Sequence, residues 1–323
     1  MSIICSAVRY LSTLKVSYKR ITTRAPCSPI RIPYFATSNL LKTVTVGMAI
    51  AFLLAAIPSL SVQSAESVTV AGNRWLAITS MQGRVDFISS RGERRQAQVG
   101  DRLDSVGDGL STGPRASVRL VADQQAGTLS VAENSQLQVK TLSITSRGGR
   151  ITVIDVLRGQ VRMRVRPLTN PDSRLEIHTP AGISGVRGTD FGVTVQFGGR
   201  TGIATSEGSV YVTAQSETVS VDADLQTTII PGEPPQLPQP LRNDPTVYIT
   251  ALSAVPGSVP SNPMARLVGS TDPVNLIQIN QDQKTLNQVG RFDVVVPMSA
   301  ERHVSMSVLT PLGTEQQYEL VVP

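Results

Sequence analysis

Four groups of residues have the types and spacing to do chemistry. Glu176 and His178 stand two apart, which on a strand puts a carboxylate and an imidazole on one face, within reach of a shared proton. Arg162, Arg164 and Arg166 alternate with Val161, Met163 and Val165, so the same period lines up three guanidiniums. Such a ladder suits an anionic partner: envelope polysaccharide, lipid headgroups or an acidic protein face. Gly182-x-x-Gly185-x-x-Gly188 is glycine-rich enough to raise phosphate binding, and Asp101, Asp104 and Asp108 supply oxygens that raise calcium.

Each group also has a plainer reading. No nucleophile or metal partner stands near Glu176 and His178 in sequence. His178 and His303 are the whole histidine complement, so a histidine metal cluster is excluded and a surface histidine is expected. G-x-S-x-G, H-E-x-x-H and Walker patterns are missing. The dinucleotide fingerprint has a different glycine spacing and leads into a helix, whereas here a strand follows. The aspartates miss the EF-hand order and read as Asx-turns in Gly-Asp pairs. The arginine ladder reads as a solvated strand face with acids in reach on a neighbouring strand, or as a basic binding ladder. The expectation is an all-binding protein: no catalytic residues, no metal site and no cofactor.

The elements that would position these groups are strands. From Trp75 to Ile230 apolar residues alternate repeatedly, as in Val85/Phe87, Val118/Leu120, Ile151/Val153 and Val210/Val212, with Gly, Asp, Asn and Ser between the runs. No convincing helix pattern interrupts them, so an all-β sandwich, barrel or solenoid is expected. Thr179 to Val193 is the centre of this region. Leu175 and Ile177 alternate before it, Phe191 and Val193 within its end, so a glycine-rich turn links two strands. Within that turn Arg187 is expected to tie loop carbonyls, or a carboxylate such as Asp190, and so to matter chiefly for stability.

Charge narrows the function class. The chain of 323 residues carries +6, but seven basic residues precede the first acid, Glu66, which leaves residues 66–323 at −1. A nucleic-acid reading from the high pI therefore fails. Both cysteines, Cys5 and Cys27, also precede Glu66. After Lys42 an apolar run, Val44 to Ile57, ends at Pro58 with small residues beyond it. That order fits a secretory signal peptide, and a run of about 14 residues is short for a membrane span of about 20. Retained, it would be a single anchor with residues after 66 outside. Residues 1–65 are thus read as a basic leader with a signal peptide or anchor, and the protein as periplasmic or extracellular, or else anchored in the inner membrane.

Beyond the β region, residues 231–244 are read as a Pro-rich linker, an extended spacer of roughly 30 Å. Residues 245–323 restart the alternation. Strands are expected at Val247–Leu252, Ala265–Ser270, Leu276–Ile279, Arg291–Val296, Val304–Leu309 and Tyr318–Val322, as in a small immunoglobulin-like sandwich. Val268 to Pro273, with Gly290-x-Phe292, resembles the Ig-like domains of bacterial surface proteins.

The segment Pro180-Ala181 followed by Val186-Arg187-Gly188-Thr189-Asp190-Phe191, with Gly185 ahead of it, resembles the signature of the FecR domain of bacterial envelope proteins. Gly100-Asp101-Arg102-Leu103, Gly107-Asp108-Gly109-Leu110, Ser117 to Leu120, Gly159-Gln160-Val161 and Glu207 to Val210 extend the likeness over about residues 76–235. It implies a twisted β-solenoid-like domain, placed here at 66–230, and gives no reaction. Members that regulate a sigma factor carry a helical cytoplasmic domain, one membrane span and a periplasmic FecR domain. Residues 1–42, with Pro26, Pro29 and Pro33 and no acid, lack the pattern of that helical domain. The favoured expectation is a non-enzymatic exported binding or scaffolding module. The alternative is a membrane-anchored FecR-type signal-transduction regulator sensing an envelope partner. Expected partners are an envelope protein or anionic polysaccharide, with no nucleic acid, and a membrane only if the leader stays as an anchor.

Overall fold

A computed structural model of the chain describes residues 74–123, 126–256 and 263–323, all within one compact unit, Ala65–Pro323. The leader and its alternatives lie outside the described residues. Among those described, every regular element is a strand, apart from short turns, and no helix is long and apolar enough to cross a membrane.

The alternating sequence folds as hairpins that pass between two layers. In chain order the strands are β1 (Leu76–Gln82), β2 (Val85–Ile88), β3 (Arg94–Gln96), β4 (Arg102–Leu103), β5 (Gly109–Thr112) and β6 (Ser117–Ala122). Then come β7 (Gly127–Val131), β8 (Gln136–Ile144), β9 (Arg150–Val165), β10 (Arg174–His178), β11 (Ile183–Val186) and β12 (Asp190–Val195). The body closes with β13 (Thr201–Glu207), β14 (Ser209–Ala214), β15 (Glu217–Asp222), β16 (Leu225–Ile229) and β17 (Gln239–Pro240). One layer runs β3-β2-β5-β8-β9-β10-β11-β14-β15. The other runs β4-β1-β6-β7-β9-β12-β13-β16-β17. Pairing is antiparallel except between β9 and β10. The solenoid-like stack implied by the resemblance is thus built of hairpins rather than of parallel rungs. Each strand turns one set of side chains inward. Leu110, Leu137, Ile154, Ile177, Ile203 and Phe191 form a continuous core with almost no exposure.

Strand β9 is the middle member of both layers. Its first half, Arg150 to Arg158, pairs with β8 and, in parallel, with β10. Its second half, Gly159 to Val165, pairs with β12 and β7. The change of layer happens at Gly159, whose φ is 92°. A Cβ there would sit 2.1 Å from Ser135 Oγ and 2.4 Å from its Cα. That hydroxyl accepts the Gln160 N–H at 3.0 Å and donates to the Glu133 carbonyl at 3.0 Å, so it fixes the bend.

Residues 245–323 form two further sheets. One holds β18 (Tyr248–Ala254), β19 (Met264–Ser270) and β22 (Arg291–Pro297). The other orders β21 (Asp282–Lys284), β20 (Leu276–Ile279), β23 (His303–Leu309) and β24 (Glu315–Val321). Leu267, Ile277, Ile279, Phe292, Val304 and Val308 fill the space between them. Six strands lie where alternation puts them. The seventh, Asp282–Lys284, has no apolar residue to announce it.

The Pro-rich stretch is not a free spacer, and the expected separation of roughly 30 Å is corrected. Gln239–Pro240 pairs with β16 as the last strand of its layer, and the Gln236 N–H donates to the Thr228 carbonyl at 3.0 Å. Proline lacks the N–H that a second neighbour would need, which suits it to a layer edge. Extended backbone here adds to a sheet instead of spanning solvent.

Gly159→Ala combines left-handed strain with a clash against backbone. It should cost about 3 kcal/mol or more and lower Tm by roughly 6 °C or more in a circular-dichroism melt. A melt within about 2 °C of the parent protein would contradict this account of the bend.

Candidate functional site

The signature segment holds two turns rather than one. The first closes the β10–β11 hairpin. There the Thr179 N–H donates to the Gly182 carbonyl at 2.9 Å, and the Thr179 hydroxyl accepts the Gly182 N–H at 3.2 Å. The second, Arg187-Gly188-Thr189, carries the chain from β11 in one layer to β12 in the other. Gly188 has φ 128°, and a Cβ there would lie 2.6 Å from Pro167 Cα. Gly185 has no such need, since a Cβ there would meet nothing nearer than the Tyr211 carbonyl at 4.0 Å. The Thr189 carbonyl accepts the Val165 N–H at 2.8 Å, and Phe191 is wholly inside the core.

Asp190 is the charged centre of the segment. Its side chain is 2% exposed, yet it lies opposite Arg164 across the β9–β12 pair. Arg162 grips it with two bonds of 3.0 Å, one to each oxygen. Arg164 adds two to Oδ2, at 2.9 and 2.7 Å. Burial alone would raise this carboxyl. Hydrogen bonds and charge from the two arginines outweigh it and hold the carboxyl below its ordinary value.

The structure therefore divides the expected ladder. Arg162 and Arg164 clamp Asp190, and Arg162 also donates to the Leu312 carbonyl at 3.0 Å, reaching the C-terminal sandwich. Arg166 lies exposed just past the end of β9. Arg187 does not take the role expected of it. It is exposed, and its guanidinium has no partner among the described residues. The carboxylate it was expected to meet is occupied from the strand beside it, because cross-strand neighbours on β9 sit closer to Asp190 than a residue three positions earlier on a turn.

The remaining candidates resolve into local networks. His178 Nε2 donates to Glu176 at 2.9 Å, and its Nδ1 accepts from Lys140 at 3.1 Å, with Asp155 3.9 Å away. Both ring nitrogens are occupied within this group. Asp108 accepts three backbone N–H groups, from Ser90, Asp104 and Ser105, at 2.9–3.2 Å. Asp101 accepts the Gln98 N–H at 2.7 Å and pairs with Arg95. Both aspartates do turn chemistry. Among the described residues no group of His, Cys, Asp and Glu is placed to hold a metal ion.

One set of residues escaped the sequence reading. Gln160, Thr194, Gln196 and Gln226 are buried on the outer face of a layer. Gln160 donates to the Pro311 carbonyl at 2.6 Å. Gln196 donates to the Asn275 carbonyl at 2.9 Å and accepts the Leu286 N–H at 3.2 Å. Gln226 donates to Asp272 at 2.8 Å, and the Thr194 hydroxyl donates to the Val274 carbonyl at 2.5 Å. These bonds seat the C-terminal sandwich directly on β9, β12 and β16. The backbones come so close that a Cβ on Gly192 would lie 1.8 Å from the Pro311 carbonyl. A glycine in mid-strand, flanked by no turn signal, was the available clue.

Two outcomes follow. Asp190→Ala removes four charge-assisted bonds and should cost about 2–3 kcal/mol in a urea titration. A carboxyl held low in the folded state gives stability that is full above its unfolded value of about 3.9 and is lost as pH falls through the folded value. The gap between the parent protein and Asp190→Asn should therefore close below about pH 4, and a gap constant with pH would contradict the clamp. Arg187→Ala should change stability by less than about 0.5 kcal/mol, checked by the same titration.

Residues 108–211 match the family model described as FecR protein. No curated protein matches the chain. Two crystal structures of a protein named as an anti-sigma factor, from Parabacteroides distasonis ATCC 8503, align at 12% identity and TM-score 0.35. They cover 41% of this chain and 59% of that protein. A polysaccharide lyase aligns at 11% identity and TM-score 0.18, covering 77% of this chain and 40% of the lyase. The matched residues run from the turn before β5 to the middle of β14, and so take in β9, the arginine clamp and the signature turns: at residues 108–211 the chain carries a FecR domain.

Proposed function

We propose that this chain is a FecR-type regulator of the cell envelope, a non-enzymatic protein that responds to an envelope partner. The observation that carries the reading is the FecR match, which falls on the middle of the two-layer body and includes its central strand. The chemistry of the body supports it. The titratable groups that a catalytic reading would use, Asp190, Asp108 and the His178 network, are engaged in holding strands and turns. In this reading the apolar run Val44 to Ile57 exports the chain or anchors it, and the layers stand outside the cytoplasm. The C-terminal sandwich is an Ig-like accessory module. Its strands fall as first, second and fifth on one sheet and fourth, third, sixth and seventh on the other.

A scaffolding role is the second reading. The directly seated sandwich favours it, because four buried polar side chains hold the two parts as a single body.

Deletion of the gene followed by transcript profiling separates the two. A regulator's loss should change a defined set of transcripts, restored by the full chain and not by residues 66–323 expressed without an export signal. An unchanged transcript profile, with an envelope complex lost from membrane fractions, would overturn the regulator and leave the scaffold.

A further inference from the structure

The outer face of the layer that holds β4, β1, β6, β7 and β9 carries a basic patch laid out across the strands. Register puts Arg119 opposite Ser130, and Ser130 opposite Arg162. One residue pair along, Arg102, Ala77, Val121, Thr128 and Arg164 follow one another across five strands. With strands about 4.8 Å apart, Arg119 and Arg162 sit about 10 Å from each other, and Arg102 and Arg164 about 19 Å. Two rows of guanidiniums thus lie side by side. Arg119 is exposed and its side chain has no partner among the described residues. Arg102 is held over the Trp75 ring at 4.5 Å. Arg164 keeps 69% of its side chain exposed while bound to Asp190.

The acids that meet this patch are few. Asp190 lies beneath Arg162 and Arg164, and Glu207 acts on Arg164 from the strand beyond. Four arginines therefore face two carboxylates. Between them stand hydroxyls: Ser80, Ser117, Thr128 and Ser130. The adjoining face, past β9, is covered by the sandwich turn at Pro311 and Leu312, so the patch is a flat strip with a wall on one side.

We propose that this strip binds an acidic polysaccharide, lying across the strands with its carboxylates on the guanidiniums and its hydroxyls on the serines and threonines. Charge complementarity selects an anion, and spaced arginines suit a repeating polymer better than one compact group. The apolar residues on the strip, Ala77 and Val121, are half-buried, and its one aromatic, Trp75, is half-buried beneath the Arg102 guanidinium, so little apolar surface is left to insert into a bilayer or to centre a protein interface. The site differs from the ladder read along β9. Its key residue, Arg119, lies on β6, and Arg166 is outside it.

The test is titration of residues 66–323, exported and purified, with polygalacturonate, with dextran as the uncharged control and anionic phosphatidylglycerol vesicles as the competing source. Polygalacturonate should bind, and binding should weaken between about 50 mM and about 200 mM salt. Arg119→Glu should weaken it by about tenfold or more. Arg147→Glu, on the β8–β9 turn of the other layer with its side chain 84% exposed, should change it by less than about twofold. Arg119 has no side-chain bonds to lose, so an unchanged melting curve will show that the variant folds. The proposal is overturned by equal binding in Arg119→Glu, by an equal loss in Arg147→Glu, or by binding to vesicles with none to the polymer.

Discussion

A single strand that belongs to two layers is the constraint on which the body depends. Antiparallel hairpins can build either layer alone, but among the described residues only β9 is hydrogen-bonded in both, and it occupies the middle of each. This strand leaves one layer and enters the other at a residue whose backbone conformation strands rarely adopt. That residue is Gly159, and the hydroxyl of Ser135 fills the place a side chain would need. Everything inward of β9, from Ile154 in one half to Val161 and Met163 in the other, then faces one shared core. The two layers are in this sense one sheet folded over a glycine.

The family signature acts on the same joint. Its second turn brings β12 beside the far half of β9, and Asp190 is pinned there by two arginines of that strand. One of them, Arg162, continues outward to Leu312, so the clamp touches the body and the sandwich together. A buried carboxylate is costly unless paired, and two guanidiniums with solvent-facing sides can pair it without being buried themselves. Within the signature, Gly188, Asp190 and Phe191 therefore hold strands together, while Arg187 stands exposed beside them.

That division explains what the sequence made legible. Alternation revealed the strands, because one face of each is buried, and the Gly-Asp pairs revealed their turns, because Asx chemistry is local. Asp190 drew attention but the wrong arginine was paired with it. Proximity along the chain favoured Arg187, whereas the true partners come from register between β9 and β12, which alternation does not specify. The glutamine seam under the sandwich was hidden for a similar reason. Gln160, Thr194 and Gln196 alternate with apolar residues just as a solvent face would, and a second domain covering a polar face leaves the pattern unchanged. Proline density misled in the opposite way, since an extended segment can be a spacer or an edge strand.

Hydrogen exchange of residues 66–323 measured by mass spectrometry tests the central claim most directly. If β9 is the shared member of both layers, amides on both of its halves should exchange last and together, only on global unfolding, after those of the edge strands β3 and β15. Early exchange of either half, or two halves opening at different free energies, would show two independently stable sheets and contradict the account.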